Sequence, residues 1–144
     1  MLFQNILVPV DLSSQSTRAF KVALDIAEKY NSKITVITCL DVNAWHNLYY
    51  EAKPNSQIIE KQNKVVKKHF KKLESLAEKN NISIKSKILT SESIANDIVT
   101  FAKSRKHDLI VIGSHGRTGF NKLLLGSISN EVTHGAKCPV LIVR

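Results

Sequence analysis

The order of apolar runs and amphipathic segments is the feature that most restricts how this chain can fold. Short runs rich in valine, isoleucine and leucine alternate with segments whose apolar residues recur at helical spacing. The pattern predicts five strands separated by four helices. Such alternation is typical of a parallel sheet with helices on both faces. We therefore predict a single doubly wound α/β domain over residues 1–144, with no repeat and no long linker.

Composition and capping residues give approximate bounds for these elements. Asp11, Ser13 and Ser14 are candidate N-caps for the first helix, and Ser91 for the third. Residues 43–55 lack a clear period and are predicted to form a loop. The strands are predicted at Leu2–Val10, Lys33–Val42, Ile82–Leu89, Asp108–Gly113 and Cys138–Arg144, and the later helices at Gln57–Asn80, Ser91–Lys106 and Ser127–Gly135.

The bulk composition indicates a globular protein of the cytoplasm. Of the 144 residues, 43% are hydrophobic and 23% charged, which is enough apolar material for a core. No apolar run approaches the length of a membrane span, and Met1–Val10 has no basic region typical of a secretory signal. Cys39 and Cys138 lack metal-ligand spacing, so we expect two reduced, mostly buried thiols.

The charge is strongly basic and unevenly distributed. The net charge is +9, and six lysines fall within the predicted second helix, at Lys61, Lys64, Lys67, Lys68, Lys71 and Lys72. Apolar residues in the same segment form a stripe, so the solvated face of an amphipathic helix is the favoured interpretation. A nucleic-acid-binding surface is the alternative, and it predicts steeply salt-dependent binding.

Two segments fall where a doubly wound sheet binds ligands, beyond the carboxyl ends of strands at the point where the strand order reverses. Pro9-Val10-Asp11 ends the first strand. The glycine-rich segment from Gly113 to Ser127 follows the fourth strand. Both segments are therefore candidates for a ligand-binding site.

The glycine-rich segment has the residue types that a polyphosphate requires. Glycines expose backbone N–H groups in tight turns, and the helix that starts near Gly126-Ser127 adds further donors and a favourable dipole. Side chains that can add hydrogen bonds or positive charge are His115, Arg117, Lys122, Ser127 and Ser129. The segment thus predicts a phosphate-binding loop.

Several other chemistries are not supported by the sequence. The P-loop pattern, GxGxxG, HExxH and GxSxG are all absent. Nothing in the sequence forms a dyad with His115, and no residues have metal-ligand spacing. We assign no catalytic residue and no protein metal ligand.

The pattern Gly113-x2-Gly116-x9-Gly126-Ser127 resembles the nucleotide-binding signature of the universal stress protein family, in its ATP-binding branch. The likeness covers the whole chain. ILVPVDLS resembles the opening strand of the family, DLIVIGSHGRTGF its fourth strand and loop, and CPVLIVR its closing strand. The resemblance implies a five-stranded sheet in the order 3-2-1-4-5.

The resemblance also implies a set of ligand contacts. Asp11 would lie near ribose and adenine, with Pro9 and Val10 lining the same pocket, and Cys39 and Leu40 would contact adenine. The ribose and phosphates would be held by the remaining predicted residues, which are Gly113, Ser114, His115, Gly116, Arg117, Gly119, Gly126, Ser127, Ile128 and Ser129. The implied ligand is ATP, or ADP or AMP, with Mg²⁺ arriving on the nucleotide.

Homodimers that pair through the last strand, Val140–Val143, are implied as well, since an apolar edge strand is usually covered. One departure is Ser91-Glu92-Ser93-Ile94, which replaces the glycine and proline usual before the third helix; we expect a local change in that turn. Three functions remain open: a nucleotide-binding regulatory protein in stress adaptation, a slow ATPase, and a nucleic-acid-binding module.

Overall fold

The computed structural model describes residues 2–42, 56–115 and 124–144. Strands and helices alternate along the chain as predicted. In chain order they are β1 (Asn5–Pro9), α1 (Ser14–Tyr30), β2 (Lys33–Asp41), α2 (Ser56–Lys79), β3 (Ile84–Ser91), α3 (Ile94–Ser104), β4 (Leu109–Gly113), α4 (Ser127–Gly135) and β5 (Val140–Val143).

The five strands form one parallel sheet in the order β3-β2-β1-β4-β5. In the centre of the sheet, Ile6 pairs with Ile34 of β2 on one side and with Leu109 of β4 on the other. The strand order therefore reverses between β1 and β4. This confirms the predicted fold class and places the switch point beyond Pro9 and Gly113.

Helices cover both faces of the sheet. Alternate residues of each strand point to opposite faces, so Ile6 and Val8 pack with Phe20 of α1 and Phe70 of α2 in one buried cluster. Leu7 packs with Ile98 of α3 and other residues in a second cluster on the opposite face. We call these the α1–α2 face and the α3–α4 face. β1 and β4 are buried on both sides, which is why their sequences are almost continuously apolar.

Local side-chain chemistry determines where α1 begins and ends. Ser13 is the N-cap, and its Oγ accepts a hydrogen bond from the Ser16 backbone N–H at 3.1 Å. The helix ends at Asn31, which has a left-handed conformation with φ of 56° that asparagine tolerates better than most residues. Of the three candidate caps, the structure therefore selects Ser13.

The predicted bounds need some corrections. β1 and β5 are shorter than predicted, because residues 2–4 and Val10 of the first segment, and residues 138–139 and Arg144 of the last, do not join the regular ladder. Ser91 was predicted to cap the third helix, but this is wrong: it is the last residue of β3, and Ser93 is the N-cap of α3, without a side-chain hydrogen bond. The departure at residues 91–94 thus leaves this helix without a capping side chain. The loop predicted for residues 43–55 lies outside the described residues.

Within the described ranges, no helix is both long and apolar enough to cross a membrane.

Candidate functional site

The turn after β1 is held in shape by the Asp11 carboxylate. Its Oδ1 accepts hydrogen bonds from the backbone N–H of Ser13, at 3.1 Å, and from the Ser13 hydroxyl. Between them, Leu12 has a φ of 71°, a left-handed conformation that a branched side chain rarely adopts. The side chain of Asp11 therefore fixes both the turn and the residue that caps α1.

Pro9 and Val10 are buried next to this turn. The Val10 side chain belongs to the cluster on the α1–α2 face. Its backbone N–H donates to the Ile37 carbonyl at 2.8 Å, and its carbonyl accepts from the Thr38 hydroxyl at 2.9 Å. These two bonds tie the end of β1 to β2 after the regular ladder stops. Thr38 was not predicted as part of the site.

Cys39 and Leu40 lie at the carboxyl end of β2, on opposite faces of the sheet. Leu40 packs against the α1–α2 cluster and Cys39 against the α3–α4 cluster. Burial, reinforced by the Asp97 carboxylate, raises the pKa of the Cys39 thiol to about 12. Cys39 is thus a neutral thiol at physiological pH and not a nucleophile. Because the two side chains lie on opposite faces of the sheet, a flat ligand can contact both residues only through their backbone atoms.

The turn after β4 contains Gly113, Ser114 and His115, all of them buried. The Ser114 backbone N–H donates to the Val143 carbonyl of β5 at 2.8 Å, and the His115 backbone N–H donates to Gln15 Oε1 at 2.9 Å. The Ser114 hydroxyl lies 3.2 Å from His115 Nδ1. Gln15 is in the first turn of α1, the helix that follows Asp11. Its bond with His115 therefore links the start of α1 to the turn after β4.

The end of β4 lies close to the start of α1 at Gly113. A Cβ built there would lie 3.4 Å from the backbone carbonyl carbon and oxygen of Gln15, which is ordinary van der Waals contact. The two segments are therefore adjacent at this position.

The start of α4 is attached to the same turn. The Gly126 backbone N–H donates to the Ser114 carbonyl at 2.7 Å, and the Ser129 hydroxyl donates to the same carbonyl at 2.8 Å. A Cβ on Gly126 would lie 3.1 Å from that oxygen, so a side chain there would force the Ser114 carbonyl to move by a few tenths of an ångström. Gly126 is the N-cap of α4 and makes no side-chain cap. Ser127 and Ile128 of the first turn are exposed.

These contacts bring together most of the predicted residues that the structure describes. The ends of β1, β2 and β4 and the N-terminus of α4 meet at one edge of the sheet, while α1 and α4 leave on opposite faces. Gly116, Arg117, Gly119 and the candidate cation Lys122 lie outside the described residues. The contact of each predicted residue with a ligand remains a prediction.

His69 of α2 is a neighbour of the site that the sequence did not reveal. Burial and the ammonium group of Lys72 lower its pKa, against the opposing effect of the Asp11 carboxylate. Its Nε2 is buried and has no hydrogen-bond partner. Since Asp11 and His69 are 58 positions apart, only the packing of α2 against the sheet brings them into electrostatic range.

A metal centre is not visible in the described part of the chain, where no three His, Cys, Asp or Glu side chains cluster. Cys39 and Cys138 are free thiols in this structure, and both are partly buried rather than mostly buried as expected.

The sheet order and the joined turns at its switch point define a doubly wound α/β domain. Comparison with known proteins identifies its family: the model of the universal stress protein family matches residues 2–144. The chain belongs to the universal stress protein family.

Individual relatives agree with this assignment. A universal stress protein of Methanocaldococcus jannaschii is 34% identical over 145 residues, which cover 99% of this chain and 83% of the relative. Among solved structures, UspA from Lactobacillus plantarum superimposes with a TM-score of 0.86 at 24% identity, covering 100% of this chain and 99% of the other.

Two structural neighbours were solved with adenine nucleotides. A universal stress protein in complex with cAMP has a TM-score of 0.74 at 23% identity and covers 100% of this chain and 98% of its own. A universal stress protein from Archaeoglobus fulgidus in complex with dAMP has a TM-score of 0.71 at 23% identity and covers all of both chains. At this identity the likeness establishes the fold.

Proposed function

We propose that this protein binds an adenine nucleotide, with ATP as the expected ligand, and that binding regulates its interactions. The observation that carries the proposal is the junction at the switch point. There Gln15 of α1 holds the His115 backbone, and Ser114 holds the start of α4. Hydrogen bonds therefore connect the two turns that are predicted to bind the ligand.

The first turn of α4 supports the phosphate end of the proposed site. Gly126 leaves the helix start without a capping side chain, and the exposed Ser127 and Ile128 follow it. An uncapped helix N-terminus combines unsatisfied N–H groups with a positive dipole, which suits an anion. Ser129 would act through its backbone, because its hydroxyl already donates to the Ser114 and Gly126 carbonyls.

The adenosine end would lie towards β1 and β2. Asp11 offers a carboxylate beside the start of α1, and the backbone at Cys39 and Leu40 offers polar groups along the end of β2. The ligands of both neighbours contain adenine, while their sugars and phosphate groups differ. This pattern supports recognition of the adenine base by the protein. Mg²⁺ would bind through the nucleotide phosphates, since the described residues hold no metal-ligand cluster.

We propose regulation in preference to turnover. The Asp11 carboxylate is engaged by Ser13, and His115 is buried beside the Ser114 hydroxyl. Neither is arranged as a base facing an attacking water, which ATP hydrolysis requires. A regulatory ligand acts by binding one conformation better than another. We place this activity in the cytoplasm, where free thiols such as Cys39 and Cys138 persist.

The test is calorimetric titration of ATP, ADP, AMP and cAMP into nucleotide-free protein, together with analysis of nucleotide released from natively purified protein. Gly126→Val places a side chain against the Ser114 carbonyl at the phosphate end, and we expect ATP affinity to fall at least about tenfold. Gly135→Val, at the other end of the same helix, is the matched control. The three atoms nearest to its Cβ would all belong to the Val99 side chain, the closest at 3.3 Å.

The two variants distinguish binding from folding. Loss of affinity in Gly126→Val with retention in Gly135→Val and similar melting temperatures supports the site. No heat signal with any adenine nucleotide in the wild type, and none released on denaturation, rejects the proposed function. Continuous release of phosphate from ATP by the wild type, abolished in Asp11→Asn, would favour the ATPase alternative.

We also propose that two copies associate through β5, which lies at one end of the strand order. Its sequence carries no charge, and Leu141 is 37% exposed. Light scattering after size exclusion tests this. A wild-type dimer and a monomeric Leu141→Lys variant are expected, whereas a monomeric wild type contradicts the proposal.

A further inference from the structure

The outward side of α2 carries six lysines, all exposed: Lys61, Lys64, Lys67, Lys68, Lys71 and Lys72. We call them the lysine stripe. The inward side of the helix is fixed by Val66, Phe70, Leu73 and Ala77, which are buried in the α1–α2 cluster.

The stripe faces away from the domain. At 3.6 residues per turn, Lys64 and Lys68 lie opposite the buried side of the helix. The three carboxylates of α2 lie together towards one flank, at Glu60, Glu74 and Glu78. Between Lys61 and Lys72, a distance of about 16 Å along the axis, the helix therefore carries no carboxylate, and the exposed Val65 lies beside the lysines.

The charges of the stripe are not neutralised within the described part of the chain, where none of the six ammonium groups forms an ion pair with a carboxylate. Like-charged neighbours four residues apart, such as Lys64 and Lys68 or Lys67 and Lys71, destabilise a helix by mutual repulsion. An anionic partner would relieve this repulsion and gain the release of its own counterions.

The residue types of the stripe indicate what that partner is. Lysine acts as a point charge without the planar fork that reads base edges, and the two aromatic rings of α2, His69 and Phe70, are turned away from the outward side. Insertion into a membrane is disfavoured, because the apolar side of α2 is already buried in the core.

We propose that the lysine stripe binds the phosphate backbone of duplex nucleic acid without sequence preference. Duplex DNA carries one charge per about 1.7 Å of its axis, so a lysine row of this length can contact several phosphates on one side of the helix. This proposal does not depend on nucleotide binding at the switch point, because none of the six lysines is among the residues predicted to contact the nucleotide.

The test is fluorescence anisotropy of the intact protein with a labelled mixed-sequence DNA duplex of about 25 base pairs. For four phosphate contacts we expect micromolar affinity at about 50 mM salt, and a roughly 100-fold loss between about 50 and 200 mM. The stripe variant changes Lys61, Lys64, Lys68 and Lys71 to Gln, which preserves helix propensity. We expect it to lose at least about tenfold in affinity and most of the salt dependence.

The matched control changes four other exposed lysines to Gln, namely Lys21, Lys33, Lys85 and Lys103, with the same loss of net charge. It should bind within about threefold of the wild type. Equal losses in both variants would show an effect of net charge alone and overturn the proposal. So would saturable binding to anionic phosphatidylserine vesicles with none to the duplex, or no duplex binding at low salt. Circular dichroism and ATP titration of both variants verify that the fold is intact.

Discussion

The α1–α2 face and the α3–α4 face of the sheet bury apolar clusters that differ in size and in the residues at their margins. On the α1–α2 face, Phe20 and Phe70 lie within one buried apolar cluster, which includes Ile6 of β1 and Val143 of β5. On the second, the cluster is smaller, and its margin includes Cys39, Cys138 and the half-buried Phe101. The ring of Phe101 is flanked by Lys87, by Arg105 and by His107.

The difference shows that the two faces of a doubly wound sheet can have different roles. The α1–α2 face supplies most of the apolar burial, since apolar area removed from water is the main source of stability. The α3–α4 face also carries both cysteines, and the charged side chains of Lys87 and Arg105 lie beside Phe101 at its margin. The candidate site lies where chain segments from both faces meet, at the turns after β1 and β4.

Truncating one phenylalanine on each face should give the largest difference. Phe20 is fully buried, so Phe20→Ala removes its whole ring from the core and should cost about 3–5 kcal/mol of unfolding free energy. Phe101→Ala should cost only about 1–2 kcal/mol, because its ring is partly solvated and lies among cations. Urea denaturation of both variants measures the two values. Equal losses would mean that the faces contribute alike.

Thiol reactivity should differ strongly within the α3–α4 face. With its pKa raised to about 12, Cys39 should react with iodoacetamide at pH 8 at least about 100-fold more slowly than an unstructured cysteine. Burial also raises the pKa of Cys138, but to a smaller extent, so Cys138 should react faster than Cys39. Single-cysteine variants, Cys138→Ser and Cys39→Ser, separate the two rates by mass spectrometry. The prediction fails if Cys39 is alkylated as fast in native protein as in guanidinium.

The smallest expected effect concerns one histidine on each face. Burial is the main cause that lowers the pKa of His69 on α2 and of His107 after α3 below the ordinary value of 6.5. The unfolded chain then binds more protons than the folded one below pH 6.5, so stability should fall as the pH falls through this region. The ammonium group of Lys72 adds to the effect at His69.

Replacing either histidine by Gln should make the dependence of unfolding free energy on pH shallower between about pH 5 and 7, as followed by urea denaturation at several pH values. The double variant should be shallower than either single one. An unchanged slope in His69→Gln would show that neutral burial of this imidazole is not linked to folding. Titration of the imidazole signals by NMR provides an independent measurement.

Much of the fold was predictable, because the signals that specify it are local. The near-continuous apolar runs of β1 and β4 indicated strands buried on both faces, and the helical spacing in α2 predicted its bounds to within one residue at each end. Ser91 was misjudged because a serine before a helical pattern has the composition of a cap. Whether it acts as one depends on where the preceding strand ends.

The candidate site was predictable in outline only. The glycines at 113 and 126 and the acidic turn at Asp11 marked the segments, since tight turns and helix starts have recognisable residue types. Gln15, Thr38 and His69 had no comparable signal. Each is an ordinary polar residue of a helix or strand, and each gains its role from a partner distant in sequence.

The sequence alone thus determined the alternation of strands and helices, the presence of a glycine-rich turn after the fourth strand and the basic character of α2. These follow from periodicity and residue type within short windows of chain. Tertiary structure decided that Cys39 and Leu40 face opposite sides, that Gln15 joins α1 to the turn after β4, and that Ser129 is bonded to Ser114. Such contacts depend on how packed elements approach each other, and the hydrophobic pattern that drives packing does not encode the hydrogen bonds formed when they meet.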